Sequence, residues 1–168
     1  MFYDEHKAEI DKLISRYPNS RGACLPLMWM AQNKYGYLSD EVLDEIAEIL
    51  DLTLNDLEGV ASFYTMYFRK PVGKYQIWVC RTLSCSMMGS GKILDHLKEK
   101  LGIEVGETTP DGRITLLCQE CLAACGEGPV VQVNDKYHTF MTIEKVDKLL
   151  EDLSKDLIDQ PSGEDQHA

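Results

Sequence analysis

Thiols are the residue class in this chain whose spacing points to chemistry. Six cysteines stand at positions 24, 80, 85, 118, 121 and 125. Cys80 and Cys85 form a C-x4-C pair in CRTLSCSMMGSGK, where a strand-like run gives way to a helix-like one. Cys121 and Cys125 form C-x3-C in CLAACGEG, the loop after a later strand. Loops at strand ends of an α/β sheet project together, so two such pairs can converge on one site. Four thiolates around a point hold zinc or an iron–sulfur cluster. Zinc often uses tight C-x2-C turns, whereas these wider gaps suit a cluster with two iron atoms. The spacing favours the cluster and leaves zinc or purely structural thiols as alternatives. Gly89, Gly91, Gly126 and Gly128 supply loops that bring backbone amides close to cluster sulfurs.

The remaining signals are weaker. Cys118 with Cys121 makes CQEC, the pattern of a thiol–disulfide pair, but it ends a strand instead of opening the helix that would lower a thiol pKa. Cys24 reads as a small buried apolar residue. GSGK, 89–92, lacks the glycine and the hydroxyl that a phosphate loop needs, since Ser86 and Ile93 stand there. His6, His96, His138 and His167 form no ligand spacing with a cysteine and read as surface residues. The aromatic run FYTMYF, 63–68, reads as core packing first and as a partner-binding face second. Carboxylates are abundant but scattered, with no catalytic pair.

A net charge of −11 excludes nucleic acid and anionic membrane as partners in the absence of a basic patch. The N-terminus has charges where a signal peptide needs an apolar core, and no segment is long and apolar enough to span a bilayer, so the chain reads as soluble and intracellular. In a reducing compartment such cysteines serve as ligands or catalytic thiols more often than as disulfides.

Two kinds of periodicity position these residues. Helical spacing covers Tyr3–Tyr17, Leu25–Tyr35, a segment capped by Ser39 and another capped by Thr53 with Asp56 three residues on. These make a small helical bundle over 1–72. The period changes at RKPVGK, 69–74. Beyond it come a strand at Tyr75–Val79, a helix closed by Gly102, a strand at Ile114–Cys118, a hairpin turning at Asn134 and Asp135, and a helix from Thr142 to Leu153. That order predicts an α/β sandwich over 73–154, followed by a disordered polar tail, 155–168.

CRTLSCSMMGS followed by CLAACGEGPVVQVN resembles the two ligand loops of the thioredoxin-like 2Fe-2S ferredoxins. The preceding GVASFYTMYFRKPVGKYQIWVC resembles the NuoE-type subunit family of NADH:quinone oxidoreductase, respiratory complex I, which also begins with a helical bundle. The resemblance implies an α+β chain of two parts and one 2Fe-2S cluster on Cys80, Cys85, Cys121 and Cys125, each pair serving one iron. It implies a subunit that accepts one electron from FMN, with FMN and NADH bound by a NuoF-type flavoprotein partner that the bundle docks onto. It also implies other peripheral-arm partners, a cytoplasmic location in that arm and no direct membrane contact. An NAD-reducing hydrogenase or NAD-dependent formate dehydrogenase is an alternative host, and a zinc-stapled interaction module is an alternative function. Two positions depart from the family: Ala123 stands where C-L-G-x-C usually has glycine, and Gly128 where alanine commonly precedes proline.

Overall fold

The computed structural model describes residues 2–157. It divides into two compact units between Pro71 and Val72. The first is built from α1 (Phe2–Ile14), α2 (Cys24–Tyr35), α3 (Asp40–Leu50) and α4 (Leu54–Phe63), with a 3₁₀ turn at Ser20–Ala23. Local chemistry fixes the ends. The first helix ends at Ile14, short of the Tyr17 that the spacing suggests, and Asn19 caps the 3₁₀ turn by accepting the Gly22 amide at 3.2 Å. Gly36 ends α2 at φ 81°, a conformation that glycine adopts without strain. The Ser39 hydroxyl accepts the Val42 amide at 3.3 Å. Thr53 and Asp56 form a reciprocal capping box, with amide-to-oxygen distances of 3.2 and 3.1 Å.

Ile10, Leu27, Met28, Leu43, Ile46 and Leu50 are fully buried in this unit, each burial contributing about 1.5–3 kcal/mol. The aromatic run after α4 splits in two. Gln32, buried in α2, donates to the Met66 carbonyl at 2.8 Å and accepts the Phe68 amide at 2.7 Å. The Tyr67 hydroxyl turns inward to the Leu25 carbonyl, 2.8 Å away. These anchors leave Phe63 77% and Met66 46% exposed.

The second unit holds β1 (Tyr75–Cys80), α5 (Leu83–Met87), α6 (Ser90–Leu101), β2 (Ile114–Gln119), a 3₁₀ turn at Cys125–Glu127, β3 (Val131–Val133), β4 (Lys136–His138) and α7 (Ile143–Ser154). The sheet order is β2-β1-β3-β4. β1 and β2 are parallel, while β1–β3 and β3–β4 are antiparallel. Alternation sends Tyr75, Ile77 and Val79 into one core with Leu97 of α6 and Val146, Leu149 and Leu153 of α7. Gly73 brings the chain into β1 so close to β2 that a Cβ would stand 2.7 Å from the Arg113 carbonyl carbon. Its amide donates instead to the buried Thr115 hydroxyl at 2.7 Å.

The structure corrects one histidine. His96 pairs with Asp147 at 2.8 Å on the surface, but His138 is half-buried, and its Nε2 has no partner. It lies opposite Val131, which is fully buried, and directly opposed residues share a face of the sheet. Burial therefore pushes its pKa down. His167 lies outside the described residues.

The polar tail falls outside them too from residue 158, but Asp156 within it is anchored. Its carboxylate accepts from Lys74 Nζ (2.7 Å), the Tyr75 hydroxyl (2.8 Å) and an Arg113 guanidinium nitrogen (2.8 Å). Bonds from Lys74, then Tyr75, then Arg113 hold its pKa well below the ordinary carboxylate range. A folded-state pKa depressed in this way adds stability above the unfolded value, near pH 4, and that stability is lost as pH falls through the folded one. Asp156→Asn should therefore lower the melting temperature at neutral pH and reduce its fall on acidification from pH 5, read by thermal denaturation across pH. An unchanged pH profile would mean that the carboxylate contributes nothing.

Candidate metal centre

Parallel pairing delivers the thiol loops to one place. Cys80 lies opposite Gln119 in the register, so both strands run out at the same edge of the sheet. The chain leaving β1 turns through Arg81 and Thr82 into α5, a helix too short to stand out in the sequence, which carries Cys85. The chain leaving β2 passes Glu120 and Cys121 and reaches Cys125 at the start of the second 3₁₀ turn. Arg81 and Glu120 join the two exits: the amide of Arg81 donates to the Gln119 carbonyl at 3.0 Å, and its Nε to the Glu120 carboxylate at 2.8 Å.

The two pairs differ in environment. Cys80 and Cys85 are buried in a small apolar cluster with Leu122 and Val130, whereas Cys121 and Cys125 are exposed. The sulfurs of Cys121 and Cys125 are 3.9 Å apart. Two thiolates on one tetrahedral metal at about 2.3 Å are separated by roughly 3.8 Å, so the outer pair already has the span of a chelate. Among the described residues no three Cys, His, Asp or Glu side chains surround a point that one ion could fill. The thiols come as two pairs, as a two-metal group requires.

Each pair has one acidic and one basic member. Burial raises the Cys80 pKa, but the Thr82 hydroxyl and the amides of Leu122 and Thr82 outweigh it, and the net shift is down. Cys85 is raised, first by burial and then by its hydrogen bond with Cys80. Cys121 is lowered by the Ala123 amide, which lies 3.3 Å from its sulfur, then by Thr82 and Cys125. Cys125 is raised by Cys121. A metal binds cysteines as thiolates, so binding releases their protons.

The cradle fits a cluster at its walls as well. A Cβ on Gly128 would come 3.4 Å from Cys85 Sγ and 2.7 Å from the Met88 thioether. The glycine therefore leaves room at the inner pair, and Met88 occupies the space where an alanine methyl would stand. Ala123 has φ 60°, a left-handed conformation that glycine would adopt without strain.

Comparison with known proteins agrees with this geometry. The family model "Thioredoxin-like [2Fe-2S] ferredoxin" matches residues 10–154. The chain belongs to that family. It is 41% identical over 145 residues to an E-type subunit of the NADH-quinone oxidoreductase of Rhizobium meliloti, covering 86% of each chain. It is 40% identical over 149 residues to the E-type subunit of the NADH-quinone oxidoreductase of Aquifex aeolicus, covering 89% of this chain and 93% of that one. Its fold resembles part of an NAD+-reducing [NiFe]-hydrogenase at TM-score 0.69 and 21% identity, over 79% of this chain and 23% of that one.

The other cysteines stay out of the site. Cys118 lies on β2 opposite Val79, and its pKa is raised, chiefly by burial, which opposes the thiolate that a redox pair needs. Cys24 is buried with its sulfur 3.6 Å from that of Met28, as a small apolar residue would be. Sequence reasoning missed Thr82, whose position after Cys80 carries no motif of its own.

The left-handed residue at 123 gives a direct test of the outer loop. A β-branched residue tolerates that backbone worse than alanine, by about 1–2 kcal/mol. Ala123→Val should lower unfolding stability by that amount, while Ala123→Gly should be near neutral, since relief of strain is offset by a looser unfolded chain. Chemical denaturation of the two variants reads the difference, and equal stabilities would contradict the strained loop.

Proposed function

We propose that Cys80, Cys85, Cys121 and Cys125 hold one 2Fe-2S cluster, each pair on one iron, and that the chain is the electron-transfer subunit of an NADH dehydrogenase module of the complex I type. The observation that carries this reading is the convergence of two thiol pairs, one with the 3.9 Å span of a chelate, on loops whose amides point at the sulfurs. Relatives about 40% identical over most of the chain, named as E-type subunits of NADH-quinone oxidoreductase, support the host.

A bound 2Fe-2S cluster supplies a one-electron couple. The protein's own residues determine how that couple is held. Leu122 and Val130 keep water from the inner sulfurs. The amides of Leu122 and Ala123 and the Thr82 hydroxyl place partial positive charge against sulfurs of both pairs. The net charge of −11 works the other way and disfavours an added electron. NADH gives up two electrons as hydride, so a flavin must stand between it and a one-electron acceptor. The chain has no dinucleotide fingerprint, and FMN and NADH belong in this reading to a NuoF-type flavoprotein partner. The chain then sits in the peripheral arm, on the cytoplasmic side, consistent with the lack, among the described residues, of a helix long and apolar enough to cross a membrane.

Visible absorption before and after dithionite tests the cofactor. Serine at any one of the four proposed ligands should bleach or destabilise the chromophore, while Cys24→Ala and Cys118→Ser should keep iron at the wild-type level. Iron loss from Cys118→Ser as severe as from Cys121→Ser would overturn the ligand set. The partner reading has its own test in the helical unit, where Gln32 fixes the exposed segment that bears Phe63 and Met66. Rigid exposed apolar side chains of this kind anchor interfaces. Replacing both by serine should weaken capture by the flavoprotein partner at least tenfold and leave the absorption spectrum intact. Undiminished capture would remove that segment from the interface.

A further inference from the structure

Thr82 occupies the N-cap of α5, yet its side chain makes no capping hydrogen bond. The hydroxyl caps at Ser39, Thr53 and Thr142 all accept an amide of their own helix. At Thr82 the oxygen lies instead 3.5 Å from Cys80 Sγ. Cys80 Sγ is in turn 3.9 Å from the Glu120 carbonyl, on the loop that leaves the neighbouring strand. Thr82 is thus a half-buried hydroxyl turned from its own helix to the sulfur of a proposed ligand.

We propose that Thr82 is a positioning residue of the metal centre, its hydroxyl holding the Cys80 sulfur and tuning the reduction potential of the group that the thiols hold. The proposal rests on the 2Fe-2S reading above. A free thiol can donate to a hydroxyl, but a metal-bound thiolate has no proton, so in the loaded protein the hydroxyl is the donor. It carries one proton, which rotation about its C–O bond turns toward Cys80. Reduction adds one electron and no proton, and the charge it adds falls partly on the sulfurs. A hydrogen bond to sulfur then strengthens, as charge-assisted bonds do, and favours the reduced state. Removing the donor should lower the midpoint.

The test uses the full chain with its cluster, in wild type and in Thr82→Val, Thr82→Ala and Thr82→Ser, after iron and sulfide analysis of each. Thr82→Val is close in shape and lacks the donor, Thr82→Ala lacks donor and methyl alike, and Thr82→Ser restores the donor alone. Redox titration followed by electron paramagnetic resonance should place Val and Ala lower by a three- to tenfold change in the reduction equilibrium, about 30–60 mV for a one-electron couple. Ser should return to within error of wild type. Loss of the cluster in Val and Ala with retention in Ser would support the positioning role. A midpoint unmoved in Val and Ala, or a Ser variant as impaired as Val, would overturn the proposal. A wild-type protein without iron would instead sink the cluster reading on which the proposal rests, so the two failures are told apart by the metal analysis.

Discussion

The site depends on the parallel pairing of β1 with β2. Cys80 opposite Gln119 fixes where each strand releases its loop. A slip of one residue would turn every side chain of one strand to the other face, moving Cys80 away from the Leu122 and Val130 cluster and Tyr75, Ile77 and Val79 out of the core. The core therefore enforces the register, and the register enforces the thiol geometry. Parallel strands need a crossover, and here α5 and α6 supply it, so the segment that joins the strands also delivers Cys85. Gly73 and Thr115 hold the opposite end of the same pair, where β1 enters the sheet against the backbone of β2.

The asymmetry of the thiols follows from what packs around each loop. Cys80 and Cys85 lie among Leu122 and Val130, whereas Cys121, only two residues beyond β2, and Cys125 are exposed. Burial alone would raise the pKa of every sulfur and weaken it as a ligand. Donors offset that cost where they reach. Three act on Cys80, at the end of β1, and the Ala123 amide acts on Cys121. Each pair thus has one member whose pKa is lowered and one whose pKa is raised.

How much of this was legible in the sequence divides along the range of the interactions. Caps at Ser39 and Thr53 depend on residues within one turn, and they stand where the local pattern put them. The helix order, the strands and the hairpin at Asn134 follow from periodicity, and the convergence of the cysteine loops follows from the general behaviour of strand ends in α/β sheets. The rest required contacts across the chain. α5 is too short for a periodic signal and exists because Cys85 and the start of α6 are packed in place. His138 looked polar and solvent-facing, but its register partner is a core valine. Asp156 belonged to a run that reads as a polar tail, and its three donors lie about eighty or forty positions away along the chain.

The two departures from the family motif sharpen what the cradle demands. At 123 the backbone needs a left-handed residue so that its amide faces Cys121, and alanine accepts that conformation at a modest strain. What matters there is the direction of the amide, and the missing side chain of glycine is only the least strained way to obtain it. At 128 the requirement is spatial. A methyl there would stand 2.7 Å from the Met88 sulfur and 3.4 Å from Cys85 Sγ, so with glycine at 128 the Met88 thioether fills the region beside Cys85. Met88 is itself on the exit from α5, half-exposed, and its flexible end adapts to irregular gaps. The two positions therefore obey different constraints, one on φ and one on volume, although both read in the sequence as small residues near cysteines. A larger side chain at 128 has to displace Met88 and then meets Cys85, whereas one at 123 meets open solvent and is opposed by the backbone alone.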